Sequence, residues 1–90
     1  MMNYYVYLLL SLSDKKFISY VGYTNNLRNR LFLHNNSRGA KFTRGRKWIL
    51  IYKKKYKSKF VAMKEEYKLK KNYTLRKSIK EKYIHKCLDQ

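Results

Sequence analysis

Tyr4-Tyr5-Val6-Tyr7-Leu8-Leu9-Leu10, then Phe17-Ile18-Ser19-Tyr20-Val21-Gly22-Tyr23, then Thr24-Asn25-Asn26-Leu27-Arg28-Asn29-Arg30-Leu31-Phe32-Leu33-His34: these three segments decide the fold. The first is aromatic and apolar without a break and predicts a buried strand. Ser11 to Lys16 is polar and predicts a hairpin loop. Phe17 to Tyr23 predicts the returning strand. Thr24 stands where a helix N-cap belongs, and Leu27, Leu31 and His34 or Asn35 follow at helical spacing. Asn35-Asn36-Ser37-Arg38-Gly39 predicts the helix end. Two phenols, an arginine and an imidazole are thereby gathered into one β-β-α unit.

The rest of the chain extends that unit. Gly39 to Lys47 reads as a basic loop, and Trp48 to Tyr56 as a third strand. Ser58 is placed to cap a helix over residues 59–71, on which Ala62, Glu66 and Leu69 share one face. A last helix runs from Thr74 to residue 88, its apolar side formed by Leu75, Ile79, Tyr83 and Cys87. The order is ββαβαα. This is an α/β chain of the α+β kind: a single small domain over residues 1–90, with a three-stranded sheet flanked by helices. Ninety residues need both layers to make one core.

Charge narrows the partner. The chain carries 23 Lys and Arg against 5 Asp and Glu, a formal charge of +18. Residues 41–90 hold eighteen of the basic side chains and four acidic ones. Self-repulsion of that size costs stability unless a polyanion neutralises it. Nucleic acid is the first candidate, through phosphate contacts and counterion release, with an anionic membrane surface second. The longest apolar run, Val6 to Leu10, is far short of the roughly 20 residues of a membrane helix and of a signal-peptide core. One cysteine, Cys87, excludes a disulfide framework and a multi-cysteine zinc site. The expectation is an intracellular protein without a membrane partner.

Taken in order, Tyr5-Val6-Tyr7, Tyr20-Val21-Gly22, the helix with Arg30 and His34, Gly39-Ala40-Lys41-Phe42-Thr43-Arg44-Gly45-Arg46 with Trp48, and Ala62 with Glu66 resemble the GIY-YIG nuclease superfamily. The likeness is to its small stand-alone branch and spans residues 4–72. It implies a metal-dependent endonuclease acting on DNA, with one Mg²⁺ or Mn²⁺. By position, Tyr7 and Tyr20 are the motif tyrosines, Arg30 the arginine and Glu66 the metal ligand. His34 lies one turn after Arg30, where the family has histidine or tyrosine. The residue types suit the chemistry. Arg30 offers a planar donor fork to phosphate. His34 at i+4 shares its face, so that both reach one phosphate. A single carboxylate with waters suits Mg²⁺.

Each residue also has a plainer reading. Tyr7 and Tyr20 are at home in strands, and His34 suits a helix C-terminus. Arg28 points to another face than Arg30 and reads as a phosphate contact. Glu65 lies about 100° around the helix from Glu66 and reads as a surface partner for lysines. Cys87 has no activating base in its sequence context. Tyr5 replaces the first glycine of the family motif, and Asn72 is the nearest counterpart of a late asparagine in larger relatives. Arg28, Arg38, Lys41, Arg44, Arg46, Lys47 and Lys53 are the expected backbone-gripping side chains, which hold phosphates without reading bases. Selectivity would then rest on DNA shape or on a protein partner. The alternative is a basic module that binds DNA or ribosomal RNA without cleaving it.

Overall fold

The computed structural model describes residues 2–13 and 16–88. Its elements are β1 (Tyr4–Ser13), β2 (Lys16–Thr24), α1 (Leu27–Asn35), a short 3-10 turn (Lys41–Thr43), β3 (Ile49–Tyr56), α2 (Lys59–Lys71) and α3 (Tyr73–Leu88). The three strands form one antiparallel sheet in the order β2-β1-β3.

The central place of β1 explains its composition. Val6 to Leu10 are all buried, because both faces of the strand are covered. Val6 and Leu8 pack with Val21, Ala62 and Leu69 under α2. Tyr7 and Leu9 pack with Trp48 on the opposite face, where Leu27 and Leu31 of α1 close over them. Strand alternation thus serves two small cores. The register of β1 on β3 shifts between Leu8 and Leu9. The extra residue, Ile51, joins Tyr52 against the α2-side core.

Several boundaries differ from the sequence expectation, β3 starting at Ile49 and α3 at Tyr73 among them. Ser11 to Ser13 and Lys16 belong to the strands, pairing Ser11 with Ile18, Leu12 with Phe17 and Ser13 with Lys16. Ser11 is buried while Leu12 and Phe17 are exposed, so the apolar and polar residues of this ladder do not follow burial. Asp14 and Lys15 of the expected loop lie outside the described residues. The N-cap of α1 is Asn26, whose side chain accepts from the Asn29 N–H at 3.1 Å; the Thr24 hydroxyl instead accepts from the Asn26 N–H. Asn36 caps the end of α1, and Ser37, within the expected helix-ending stretch, takes the left-handed conformation.

α2 begins and ends where predicted, with the Ser58 hydroxyl accepting from the Val61 N–H at 3.3 Å. Asn72 ends α2, and its side chain accepts from the Leu75 N–H, which starts α3. The expected apolar stripe of α3 is only partly used. Ile79 packs on the core, whereas Leu75 and Cys87 are exposed, because α2 already covers this face of a narrow sheet.

Candidate active site

The sheet carries the two motif phenols on its α1 face. Tyr7 is 1% exposed, and its hydroxyl lies over Gly22 of the neighbouring strand. A Cβ at that glycine would collide with the phenol oxygen. The glycine of Tyr20-Val21-Gly22 is therefore the floor on which Tyr7 rests. Tyr20, two residues earlier on β2, is half-buried and packs its ring 5.1 Å from that of His34.

His34 is fully buried at the last turn of α1. Its Nε2 lies 2.9 Å from the Tyr7 hydroxyl, and its Nδ1 lies 2.8 Å from the hydroxyl of Thr43. Gly39 makes room for the ring, since a Cβ there would strike Nδ1. The expected reach of His34 to a phosphate is thus corrected: the imidazole stands behind Tyr7, closed from solvent. The reason is local, because the loop after α1 folds back over it. The Asn35 side-chain amide brackets the backbone of Trp48, and the Trp48 indole N–H donates to the Thr43 carbonyl at 2.9 Å.

Arg30 lies one turn before His34 and is half-buried. Its guanidinium stands near enough to act on the Tyr7 phenol. Its Nε is buried without a partner among the described residues. Burial pushes the Tyr7 phenol up to about 12, the nearby Arg30 guanidinium opposes this, and Tyr20 and Glu66 add to the rise. Burial, and then the Arg30 cation, hold His34 below its ordinary value. Phenol and imidazole therefore rest as a neutral pair.

Glu66 reaches this cluster from α2, and its side chain is 18% exposed against 30% for Glu65. Glu65 pairs with Lys68 at 3.2 Å, as a surface partner should. Glu66 faces the Lys70 ammonium at 3.6 Å, which stands where a carboxylate would draw a cation. Among the described residues no three His, Cys, Asp or Glu converge as a metal cage. One recessed carboxylate whose charge is felt at the Tyr7 phenol fits a hard cation that keeps most of its waters, such as Mg²⁺ or Mn²⁺. A cleft along β2 joins the two faces of the sheet, lined by Ser19, Tyr20, Phe42, Lys70 and Arg76.

The basic side chains divide into two groups. Arg38, Lys41, Arg44 and Lys47 are exposed on the loop that covers His34, and Arg46 lies over the Phe42 ring at 5.8 Å. Arg28 and Lys53 line a separate groove on the β3 side of α1, with Tyr5, Leu31, Phe32 and Leu50. They do not share the Tyr7 cluster.

The family model of the GIY-YIG catalytic domain matches residues 3–83. The chain belongs to the GIY-YIG family. It is 46% identical over 69 residues to UPF0213 protein OB0043 of Oceanobacillus iheyensis, covering 76% of this chain and 77% of that one. It is 42% identical over 90 residues to UPF0213 protein CPE1444 of Clostridium perfringens, covering 91% and 94%. The solution NMR structure of UPF0213 protein BH0048 from Bacillus halodurans is 37% identical, with a TM-score of 0.47, over 86% of this chain and 80% of that one. The domain is thus a GIY-YIG catalytic domain, of a nuclease family. Its Tyr5, in place of the first motif glycine, turns into the groove with Arg28 and leaves the Tyr7 site untouched.

Thr43, Gly39 and Asn35 are the site residues that the sequence reading passed over. A threonine in a basic loop looks solvated. The available signal was the run Gly39-Ala40-Lys41-Phe42-Thr43, where a glycine and a small hydroxyl flank one tight turn.

Proposed function

We propose that this GIY-YIG domain is a metal-dependent endonuclease that hydrolyses phosphodiester bonds of DNA, selecting by shape rather than by sequence. The observation that carries the reading is the buried Tyr7–His34 pair beneath Arg30, with the Glu66 charge close enough to act on Tyr7.

Tyr7 is the phenol with a base behind it. A free phenol is a poor base at neutral pH, but here a proton gained at its oxygen is matched by one passed to Nε2 of His34. Arg30 favours the anionic form of that oxygen, and its guanidinium is the donor fork for a phosphate. Tyr20, half-exposed, orients the attacked phosphate or water from the open side. Glu66 would hold the Mg²⁺ or Mn²⁺, with Lys70 released to the DNA. When bound, such an ion supplies charge neutralisation at the phosphate and leaving oxygen. Arg38, Lys41, Arg44 and Lys47 grip the backbone beside the site, and Arg28 and Lys53 hold a second stretch across α1. Specificity falls to DNA shape or to a protein partner.

The test is incubation of the protein with branched and linear DNA, in Mg²⁺ or in EDTA. Metal-dependent cleavage that favours the branched substrate is expected. Tight binding without cleavage in either condition would leave only the basic-module reading.

A further inference from the structure

We propose that Thr43 is a positioning residue that fixes the neutral His34 ring in its Nδ1–H tautomer, so that Nε2 is bare toward Tyr7. This rests on the Tyr7–His34 assignment above, and concerns the direction of its hydrogen bond.

The direction follows from counting protons. A threonine hydroxyl has one proton to give and lone pairs to receive. Thr43 Oγ1 donates to the carbonyl oxygen of Ala40 at 2.8 Å. A carbonyl can only accept, so that proton is committed. The second contact of the same oxygen, 2.8 Å from His34 Nδ1, then needs its proton from the ring. A neutral imidazole carries one N–H, so Nε2 is left with a lone pair. The 2.9 Å contact between Nε2 and the Tyr7 oxygen is therefore made by the Tyr7 proton. Every donor in the chain points one way, from Tyr7 to His34 to Thr43 to the Ala40 carbonyl. The free lone pairs of Tyr7 are left for Arg30 and substrate.

The surroundings keep Thr43 from turning. It is fully buried, and its carbonyl is held by the indole N–H of Trp48. Rotating the hydroxyl toward His34 would leave the Thr43 and Ala40 oxygens 2.8 Å apart with no proton between them and would reverse the whole chain, although the Ala40 carbonyl would keep the Thr43 N–H at 3.0 Å. With the reversed tautomer, Nε2–H would donate to Tyr7. The phenol proton would then face the substrate, and Tyr7 could no longer accept a proton there. A threonine acting on one ring nitrogen thus decides what a tyrosine on the other side can do.

The test reads the tautomer directly, from the ¹⁵N shifts of the His34 ring nitrogens in long-range ¹H–¹⁵N spectra. Wild type should show Nδ1–H. Thr43→Ser should keep it, along with turnover. Thr43→Val keeps the shape but removes the hydroxyl, and should show Nε2–H or a mixture. Its turnover on DNA should fall on the order of 10²-fold, the scale of a misplaced general base, with the DNA concentration at half-saturation unchanged. Tyr7→Phe removes the other partner and should keep Nδ1–H, which covers the case in which Thr43→Val fails to fold. A wild-type Nε2–H signal, or a Tyr7→Phe ring that loses Nδ1–H, would overturn the assignment, as would a folded Thr43→Val with unchanged tautomer and turnover. The spectra decide the point even for a chain that cleaves no DNA.

Discussion

Tyr7 lies between a base and a cation, and both neighbours leave marks on pH dependence. Its folded value is raised from 10.0 to about 12. The stability it contributes is therefore present below about pH 10 and lost as pH rises through about 12. Two units correspond to roughly 2–3 kcal/mol. Chemical denaturation of wild type and Tyr7→Phe across pH 9–12 should show a steeper loss in wild type; parallel curves would contradict the burial argument. His34 runs the other way. Its folded value is lowered, so its contribution is present above the ordinary histidine range and lost as pH falls below it. At the same scale Arg30 and Lys53 separate chemistry from grip. Arg30→Ala should remove most turnover, since the Arg30 cation acts on the Tyr7 phenol. Lys53→Ala should weaken affinity mildly, because Lys53 is exposed beside Lys54 and Lys55. Equal losses of turnover at saturating DNA would separate Arg30 from the site.

At the scale of elements, strands β1 and β2 work as a seat for one phenol. Gly22→Ala should destabilise the fold by about 1–3 kcal/mol, as overpacking a full site does, because the added methyl meets the Tyr7 ring. A thermal melt checks this; an unchanged midpoint would mean the phenol has room to move. The elements were legible wherever burial and pattern agreed. The apolar run of β1, the β-prone start of β3 and the Ser58 cap of α2 all gave themselves away in sequence. What stayed hidden had tertiary causes. Asn26 took the cap from Thr24 because the threonine hydroxyl turned to the Asn26 N–H. Gly39 looked like a helix stop, but its missing side chain makes space for an imidazole. The resemblance in motif order named five candidates, yet no spacing rule reveals that His34 is enclosed by a loop whose residues look solvated.

For the whole molecule, the charge and the site belong to different tasks. In the proposed reading, the eighteen basic residues of 41–90 would supply general affinity for DNA. If ~5 to 8 of them meet phosphates, the log–log salt dependence of duplex binding should have a slope of about −4.5 to −7; a slope near zero would remove the electrostatic account. The narrow sheet lets α1 and α2 approach from opposite faces, and this brings Arg30 and Glu66 to bear on one phenol. The central claim is that this meeting point is a metal-dependent centre, and Glu66 is the residue proposed to hold the metal. The direct measurement is cleavage of branched DNA across a Mg²⁺ and Mn²⁺ titration by wild type, Glu66→Gln and Glu65→Gln, with binding measured in parallel without metal. Glu66→Gln should bind DNA as well as wild type or slightly better, having lost an anion, and should lose metal-dependent cleavage. Glu65→Gln should retain most activity. Full cleavage by Glu66→Gln at every metal concentration would contradict the account.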